Sequence, residues 1–579
     1  MDHWYPHKNT PLDFLKILLA ECKGTVLAMQ AIRQINPKAK LVQTEDLGKT
    51  HSTYRLRYQA DFENKRRWLS FDLLCGNVNE NHRLWAYLMW AGLKKEDLIF
   101  FTENLCPPAI MGINHYITSE RWLDERTEKF PAHCIGGNGR ETYADIEAVR
   151  VGKNEGPQVI FKEAWERFKM PIAITEVHLH CSREEQLRWF YHVYNSVNNL
   201  QDEDVDVRAV TAWALLGSFE WCNLLTRIDG KYEPGLFDVR SPEPRPTALT
   251  KLVRSFATNN DYDHPVLQED GWWQRPIAVM YDLNNEKTFY AEKNKTSVRP
   301  LIIVGKTGTL GKAFSRICGY RAIHHLVLGR EDVNISDVAD IERMVNEYKP
   351  WAIINTAGYV RVDDAEKEAE NCFLINSVAP KHLSIICNKY GIQFVTYSSD
   401  LVFDGRKNNP YVESDIVSPL NIYGQSKAMA EENVLHNAPN ALIIRTSAFF
   451  GPWDQYNFVH HALKSLKNQQ SFSAPKNVII SPTYVPDLVH TSLDLLIDEA
   501  SGIWNLSNKG SISWAMLASE VAQRSGYDPK YFRAVTLAEM NFAASRPAYS
   551  VLNTEKGFEL PSLEHALGMF FREQECIAM

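Results

Sequence analysis

Two series of short apolar runs divide this chain. Between Leu301 and Leu442 the runs Leu301-Ile302-Ile303-Val304, Leu326-Val327-Leu328, Ala352-Ile353-Ile354-Asn355, Phe394-Val395-Thr396-Tyr397 and Ala441-Leu442-Ile443-Ile444 alternate with amphipathic stretches of helical period. Strands without polar alternation are covered on both faces, so this pattern predicts a parallel sheet between two layers of helices. A weaker series precedes it, with Lys40-Leu41-Val42-Gln43, Ile110-Met111-Gly112-Ile113, Ile172-Ala173-Ile174-Thr175 and Ala209-Val210-Thr211-Ala212-Trp213 as strands spaced by helices. From Ala257 to Val298 the rhythm is lost. Asn259-Asn260-Asp261 and Asn284-Asn285-Glu286 read there as turns, Trp272-Trp273 as a little local structure, and Ile277-Ala278-Val279-Met280 as a run suited to packing on a neighbour. The expected organisation is a first domain over 1–256, a connector over 257–298 and a second domain over 299–579.

A chain of 579 residues exceeds one hydrophobic core, in keeping with that division. A net charge of -8 gives no support to a nucleic-acid partner. No run of 18 apolar residues and no signal-peptide pattern is legible, so no membrane association and a cytoplasmic location are expected. The ten cysteines include no C-x-x-C pair, which points to reduced, buried thiols. His178-Leu179-His180-Cys181 gathers ligand-type side chains, but neighbours on an extended strand diverge, and no metal site is assigned.

The chemistry lies in the second series. Gly305-Lys306-Thr307-Gly308-Thr309-Leu310-Gly311 directly follows an apolar strand, and glycines there let the backbone approach a pyrophosphate at a helix N-terminus. This is the glycine turn of a Rossmann-type doubly wound sheet. Arg330 stands roughly 20 residues further on, where an acidic residue would hold the ribose of NAD, and it suits the 2′-phosphate of NADP. Tyr423 and Lys427 are four residues apart on one helix face. A phenol with a pKa of about 10 protonates a developing alkoxide only when its own anion is stabilised, which Lys427 can do. Ser399, at the end of a strand, offers a hydroxyl to polarise the same carbonyl. Together these motifs predict a nicotinamide-dependent reductase.

From Arg299 to about Arg572 the chain resembles the extended short-chain dehydrogenase/reductase family. The matching stretches are the glycine turn, Asn355-Thr356-Ala357-Gly358-Tyr359-Val360-Arg361-Val362-Asp363-Asp364-Ala365-Glu366, Ser398-Ser399-Asp400-Leu401-Val402-Phe403-Asp404-Gly405, Tyr423-Gly424-Gln425-Ser426-Lys427, Arg445-Thr446-Ser447 and Arg546-Pro547. The resemblance implies a Rossmann-type sheet with a small substrate-binding lobe, and NADPH-dependent reduction of a nucleoside-diphosphate 4-keto-6-deoxy sugar. It implies Ser399, Tyr423 and Lys427 as the catalytic trio and Gly305, Thr307, Gly308, Leu310, Gly311, Arg330, Asn334, Ala357 and Tyr359 around the cofactor. Asp400, Arg445 and Arg546 fall to the substrate. Asn334 departs from a common aspartate, and Ala448-Phe449 stand where an aromatic often contacts the sugar. Magnesium occurs in some relatives, but no ligand set is legible here, and a homo-oligomer is one open arrangement for this chain. An epimerase or dehydratase on the same fold, and a non-catalytic binding subunit, stay open.

Gly112-Ile113-Asn114-His115-Tyr116, Ile174-Thr175-Glu176 and Ala212-Trp213 through Glu220-Trp221 resemble the later strands of glycoside hydrolase family 1. That resemblance implies Glu176 as a nucleophile, Tyr116 as its support, and Trp213, Glu220 and Trp221 as sugar contacts. Retaining hydrolysis needs a second carboxyl group. The family's Asn-Glu-Pro acid/base motif is absent, and Glu45 reads better as a loop carboxylate or a sugar contact. The expectation is an incomplete (β/α) barrel-like domain without its first half, catalytically silent, capped by its own helices, the connector or another subunit.

Overall fold

The structure is a computed structural model and describes residues 7–223, 226–228, 230–281 and 298–578. The chain forms two compact units, one built from Met1–Cys181, Glu185–Leu215 and Asp270–Lys293, the other from Ser182–Glu184, Leu216–Glu269 and Asn294–Met579.

In the first unit the strands Val42–Glu45, Ile110–Asn114, Ile172–Val177 and Val207–Ala212 lie side by side in chain order, all parallel. The sheet is open: Val42–Glu45 and Val207–Ala212 are its two edges, and the described residues form no closed barrel. A helical core around Leu15, Val26, Leu73 and Phe101 packs in the same unit. The turns Trp272–Gln274 and Pro276–Ala278 also belong here, with Trp273 against Trp189 at 5.2 Å and Ala278 buried, while Met280 stays exposed. The expected turn at Asn284-Asn285-Glu286 lies outside the described residues.

The second unit holds six parallel strands in the spatial order His325–Leu328, Leu301–Val304, Ala352–Asn355, Gln393–Ser399, Leu442–Thr446 and Gly502–Asn505. This is the α/β fold with a parallel sheet that the apolar runs predict. Ile302, Val304, Ile353, Phe394 and Ile443 face the helices Val338–Tyr348, Ala379–Tyr390 and Ile422–Asn437 in one core. On the opposite side Tyr397 meets Phe314 and donates to Ser492, so the helices Thr309–Tyr320 and Val485–Ile497 cover the other face. Helix Thr309–Tyr320 forms because Leu310, Ala313, Phe314 and Ile317 recur at helical spacing, and all four are buried. A lobe of helices Phe458–Lys467, Trp514–Ser525 and Leu563–Ala578 has its own core around Phe450, Leu517 and Phe570.

The strand order places Leu301–Val304 between its two successors, so the chain reverses direction across the sheet at that point and opens a crevice above the carboxyl ends. Residues 216–269 cluster with this sheet. Helix Ala248–Ala257 starts where the Asp498 carboxylate accepts from the Ala248 amide at 2.7 Å, and Arg245 meets the same carboxylate at 3.0 Å. Arg321 is buried at the end of the first helix of the sheet. Its guanidinium donates to Glu184 at 2.9 Å, to Asp494 at 2.6 Å and to the His490 carbonyl at 3.0 Å. Removing one partner of such a buried set strands the others, so Arg321→Ala is expected to lower the stability of the second unit by about 3–5 kcal/mol, read from its denaturant midpoint.

Candidate active site

At the crevice the backbone comes close to itself. Gly305 has φ of +110°, and a Cβ there would stand 2.5 Å from Thr356 Oγ1; one on Gly311 would stand 2.1 Å from the Gly305 carbonyl oxygen. Both positions therefore exclude side chains. Thr356 Oγ1 ties the turn down by donating to the Val304 carbonyl at 2.6 Å. Helix Thr309–Tyr320 begins after Gly308, where no side chain caps its first amides. Such an end, carrying the positive pole of the helix, is a cradle for phosphate oxygens. Thr307 is exposed beside it, whereas Leu310 turns its side chain into the core and can offer only its amide.

The rim of the cradle follows the strand His325–Leu328. Lys306 pairs with Glu331 at 3.1 Å, and Asp332 accepts from the Gly329 amide at 2.8 Å. Arg330 between them is exposed, with no ion-pair partner among the described residues. Asn334 holds its own turn by accepting from the Ser336 amide at 3.1 Å.

Ser399, Tyr423 and Lys427 meet at the end of strand Gln393–Ser399. The strand runs two residues further than the apolar pattern indicates, which carries Ser399 to its carboxyl end. Helix Ile422–Asn437 is fixed by Asn421, whose side chain accepts from the Gly424 amide at 2.8 Å. Ser399 and Tyr423 line the same cavity, and burial raises the Tyr423 phenol above the ordinary range. Lys427 is buried, donates to the Tyr397 carbonyl at 3.1 Å and lies 5.9 Å from the Tyr423 ring. Burial pulls its ammonium down to about 8. Asp400, also buried, accepts from Ser399 at 3.1 Å, Ser447 at 2.8 Å and Ser550 at 2.6 Å; desolvation holds its carboxyl above the usual range although the hydroxyls oppose it. A cavity of 610 Å³ opens over Ser399, Asp400, Tyr423 and Arg546, with Phe458 and Trp514 of the lobe on its other wall.

Residues 299–573 match the family model described as RmlD substrate binding domain. A spore coat polysaccharide biosynthesis protein of Bacillus subtilis is 32% identical over 253 residues, covering 44% of this chain and 88% of that protein. A dTDP-4-dehydrorhamnose reductase of Aggregatibacter actinomycetemcomitans is 30% identical over 268 residues, covering 44% and 91%. The chain belongs to the RmlD family. Among solved structures, a Bacillus anthracis dTDP-4-dehydrorhamnose reductase in complex with NADP superposes with a TM-score of 0.46 at 30% identity, over 48% of this chain and 99% of that one.

In this RmlD-family unit two of the three expected substrate residues reach the cavity. Asp400 and Arg546 line it, the latter gripped by Asp363 at 2.6 and 3.0 Å. Arg445 does not: it is buried, with both arms on Glu431 at 2.8 and 2.7 Å and a third bond to the Glu413 carbonyl. An arginine in a strand interior is consumed by the partner that lets it be buried. Ala448, where an aromatic was expected to be common, lines the cavity in a left-handed conformation with φ of +39°. Ala357 and Tyr359 lie on the loop after Ala352–Asn355, and there a residue that the motifs did not single out holds the loop. Asn376, fully buried, accepts from the Tyr359 amide at 2.8 Å and donates to the Tyr359 carbonyl at 3.0 Å and to Ser426 at 3.1 Å. Its only signal was an amide inside an apolar helical stretch.

The glycosidase-like residues fall in both units. Tyr116, Glu176 and Trp213 are in the first, where the Tyr116 phenol donates to Glu176 at the carboxyl ends of neighbouring strands; Glu220 and Trp221 are in the second. Glu45 is held by Gln43 at 3.1 Å, its carboxyl raised by burial. Among the described residues no group of three His, Cys, Asp or Glu is placed for a metal ion.

Gly311→Ala is expected to force the turn apart at a cost of about 1–3 kcal/mol in folding stability, and to weaken binding of a nicotinamide dinucleotide in a fluorescence titration.

Proposed function

We propose that the RmlD-family unit reduces the 4-keto group of a nucleoside-diphosphate 6-deoxy sugar, using NADPH. The observation that carries this reading is the convergence of Ser399, Tyr423 and Lys427 at one strand end, beside a glycine cradle and beneath a cavity large enough for a sugar nucleotide. The curated relatives with dTDP-4-dehydrorhamnose reductase activity in their names, of which the chain spans about nine tenths, support the substrate class.

The cradle fits a dinucleotide, since its two glycines admit no side chain and the helix end presents uncapped amides. When bound, the dihydronicotinamide would supply a hydride to the carbonyl carbon. Gly305, Gly308 and Gly311 would hold the pyrophosphate, and the loop carrying Ala357 and Tyr359 would flank the adenosine side. Arg330 favours the 2′-phosphate of NADPH, because Lys306 and the Gly329 amide already engage the two acidic neighbours that would repel it. Ser399 orients the sugar carbonyl and Tyr423 gives its proton to the carbonyl oxygen as charge develops there. Lys427 stabilises the phenolate that remains, because a cation in a water-poor site acts at close to full strength. Asp400 and Arg546 face the sugar.

For the first unit we infer descent from the later half of a glycoside hydrolase family 1 barrel. Four parallel strands in chain order and the Tyr116–Glu176 pair support it. Without a second placed carboxylate it is read as silent; turnover of an aryl β-glycoside that disappears in Glu176→Gln would overturn this.

Tyr423→Phe is expected to lower kcat with a dTDP-4-keto-6-deoxy sugar by about 10²–10⁴-fold while NADPH still binds, and full activity in this variant rejects the mechanism. Lys427 is cationic below its depressed pKa and neutral above it, so kcat should fall as pH rises through about 8. In Lys427→Met the alkaline limb should vanish at a uniformly reduced rate. NADPH should outperform NADH, with the preference lost in Arg330→Ala.

A further inference from the structure

One ring on the cavity wall is left over once the packing of the others is accounted for. Phe458 meets Trp514 edge to face at 4.8 Å, His461 stands against Phe472 at 5.8 Å, the Arg546 guanidinium covers Phe542 at 3.8 Å, and the Lys427 ammonium lies over Tyr423 at 5.9 Å. Tyr456 lines the same cavity and is 94% exposed, with no ring, cation or hydrogen-bond partner for its side chain among the described residues. A single exposed aromatic on an open surface needs no explanation. This one is carried by a loop built to hold it. Gln574 donates to the Pro452 carbonyl at 3.4 Å, Trp453 lies under the Arg316 guanidinium at 5.3 Å, the buried Asp454 carboxylate accepts from the Tyr456 amide at 2.8 Å, and the buried Asn457 donates to the Asp454 carbonyl at 2.7 Å. Asn457 also caps helix Phe458–Lys467 by accepting from the His460 amide at 2.8 Å. The backbone under Tyr456 is therefore fixed while its ring is bare, a state in which the ring can cover a ligand at little further ordering cost.

The chemistry of reduction sets the direction in which a substrate lies here. Its keto carbon must reach Ser399 and Tyr423, and Ser399 is only 7% exposed, so the diphosphate and the nucleoside extend away from that closed end toward the open rim where Tyr456 stands. Of the residues lining the cavity, Arg546 and His461 are those that can carry positive charge, and they suit the diphosphate. The base then lies beyond the phosphates. It is the part of the nucleotide with flat π faces, which an unpaired aromatic ring complements and a phosphate does not. We propose that Tyr456 is the platform on which the nucleobase of the sugar nucleotide stacks, an assignment that rests on the reductase reading above for the direction of the substrate. A stack engages the face of a base and not its edge, so this contact holds thymine and uracil alike.

Calorimetric titration of the full chain with dTDP and with UDP tests the platform without turnover. Tyr456→Ala is expected to raise the Kd of both nucleotides by about tenfold, whereas Tyr456→Phe, which keeps the ring, should stay within about twofold of wild type. The Kd of NADPH should be the same in both variants as in wild type, and the KM for a dTDP-4-keto-6-deoxy sugar should rise with the Kd of dTDP. Unchanged affinity for dTDP and UDP in Tyr456→Ala overturns the platform, as does a wild-type protein that binds neither nucleotide. A loss confined to dTDP overturns the stack in favour of a contact at the base edge. A parallel loss of NADPH affinity overturns it too, because the loop rests through Trp453 on Arg316 of helix Thr309–Tyr320 and would then have collapsed rather than lost one contact. A wild-type protein that binds dTDP through Tyr456 yet oxidises no NADPH with the keto sugar keeps the platform and rejects the reductase reading.

Discussion

The Lys427 ammonium is held 3.1 Å from the Tyr397 carbonyl where water hardly reaches, and much of the reductase unit is arranged so that this can be so. Burying an ammonium costs several kcal/mol unless fixed dipoles replace its hydration. The strand end supplies one such dipole. The helix that carries Lys427 must then press a polar face, with Ser426 and Glu431, against the sheet. That is why this helix shows no amphipathic pattern although it is central to the fold. Asn376 answers the same demand from the other side, bonding Ser426 and the Tyr359 loop together so that the polar face is closed.

The buried charges elsewhere in the unit obey the same constraint but resolve it differently. Arg445 and Arg321 are each matched by carboxylates within hydrogen-bond distance, which makes them rigid struts with no capacity left for a ligand. Asp400 is matched instead by three hydroxyls that donate to it. The exposed charges at the cradle rim are sorted too: Lys306 engages Glu331, and Arg330 is left facing solvent. Whether a charge is spent on the fold or kept for chemistry depends on its first partner.

Motif reading was strongest where local spacing fixes geometry. Glycines three apart after an apolar strand required a close backbone turn, and Tyr423 and Lys427 four apart had to share a helix face. It was weakest where a role depends on a distant residue. Arg445 sits in a matching stretch, but only the folded chain reveals that Glu431 takes both of its arms. Asn376 carries no motif, and the strand Gly502-Ile503-Trp504-Asn505, with only two large apolar residues, does not stand out. Residues 216–256 are expected in the first domain and 257–269 in the connector, yet both cluster with the sheet, and Ala248 bonds Asp498 some 250 positions away in sequence.

The sequence by itself determined the parallel sheet and the close glycine turn after its first strand, and it put Tyr423 and Lys427 on one helix face, because each follows from periodicity or from a spacing of a few residues. Tertiary structure alone decided which charges are free, how Ser447 and Ser550 come to surround Asp400, and which segments complete each unit. Those outcomes depend on desolvation and on partners far apart along the chain, and neither quantity is a property of any short window of residues.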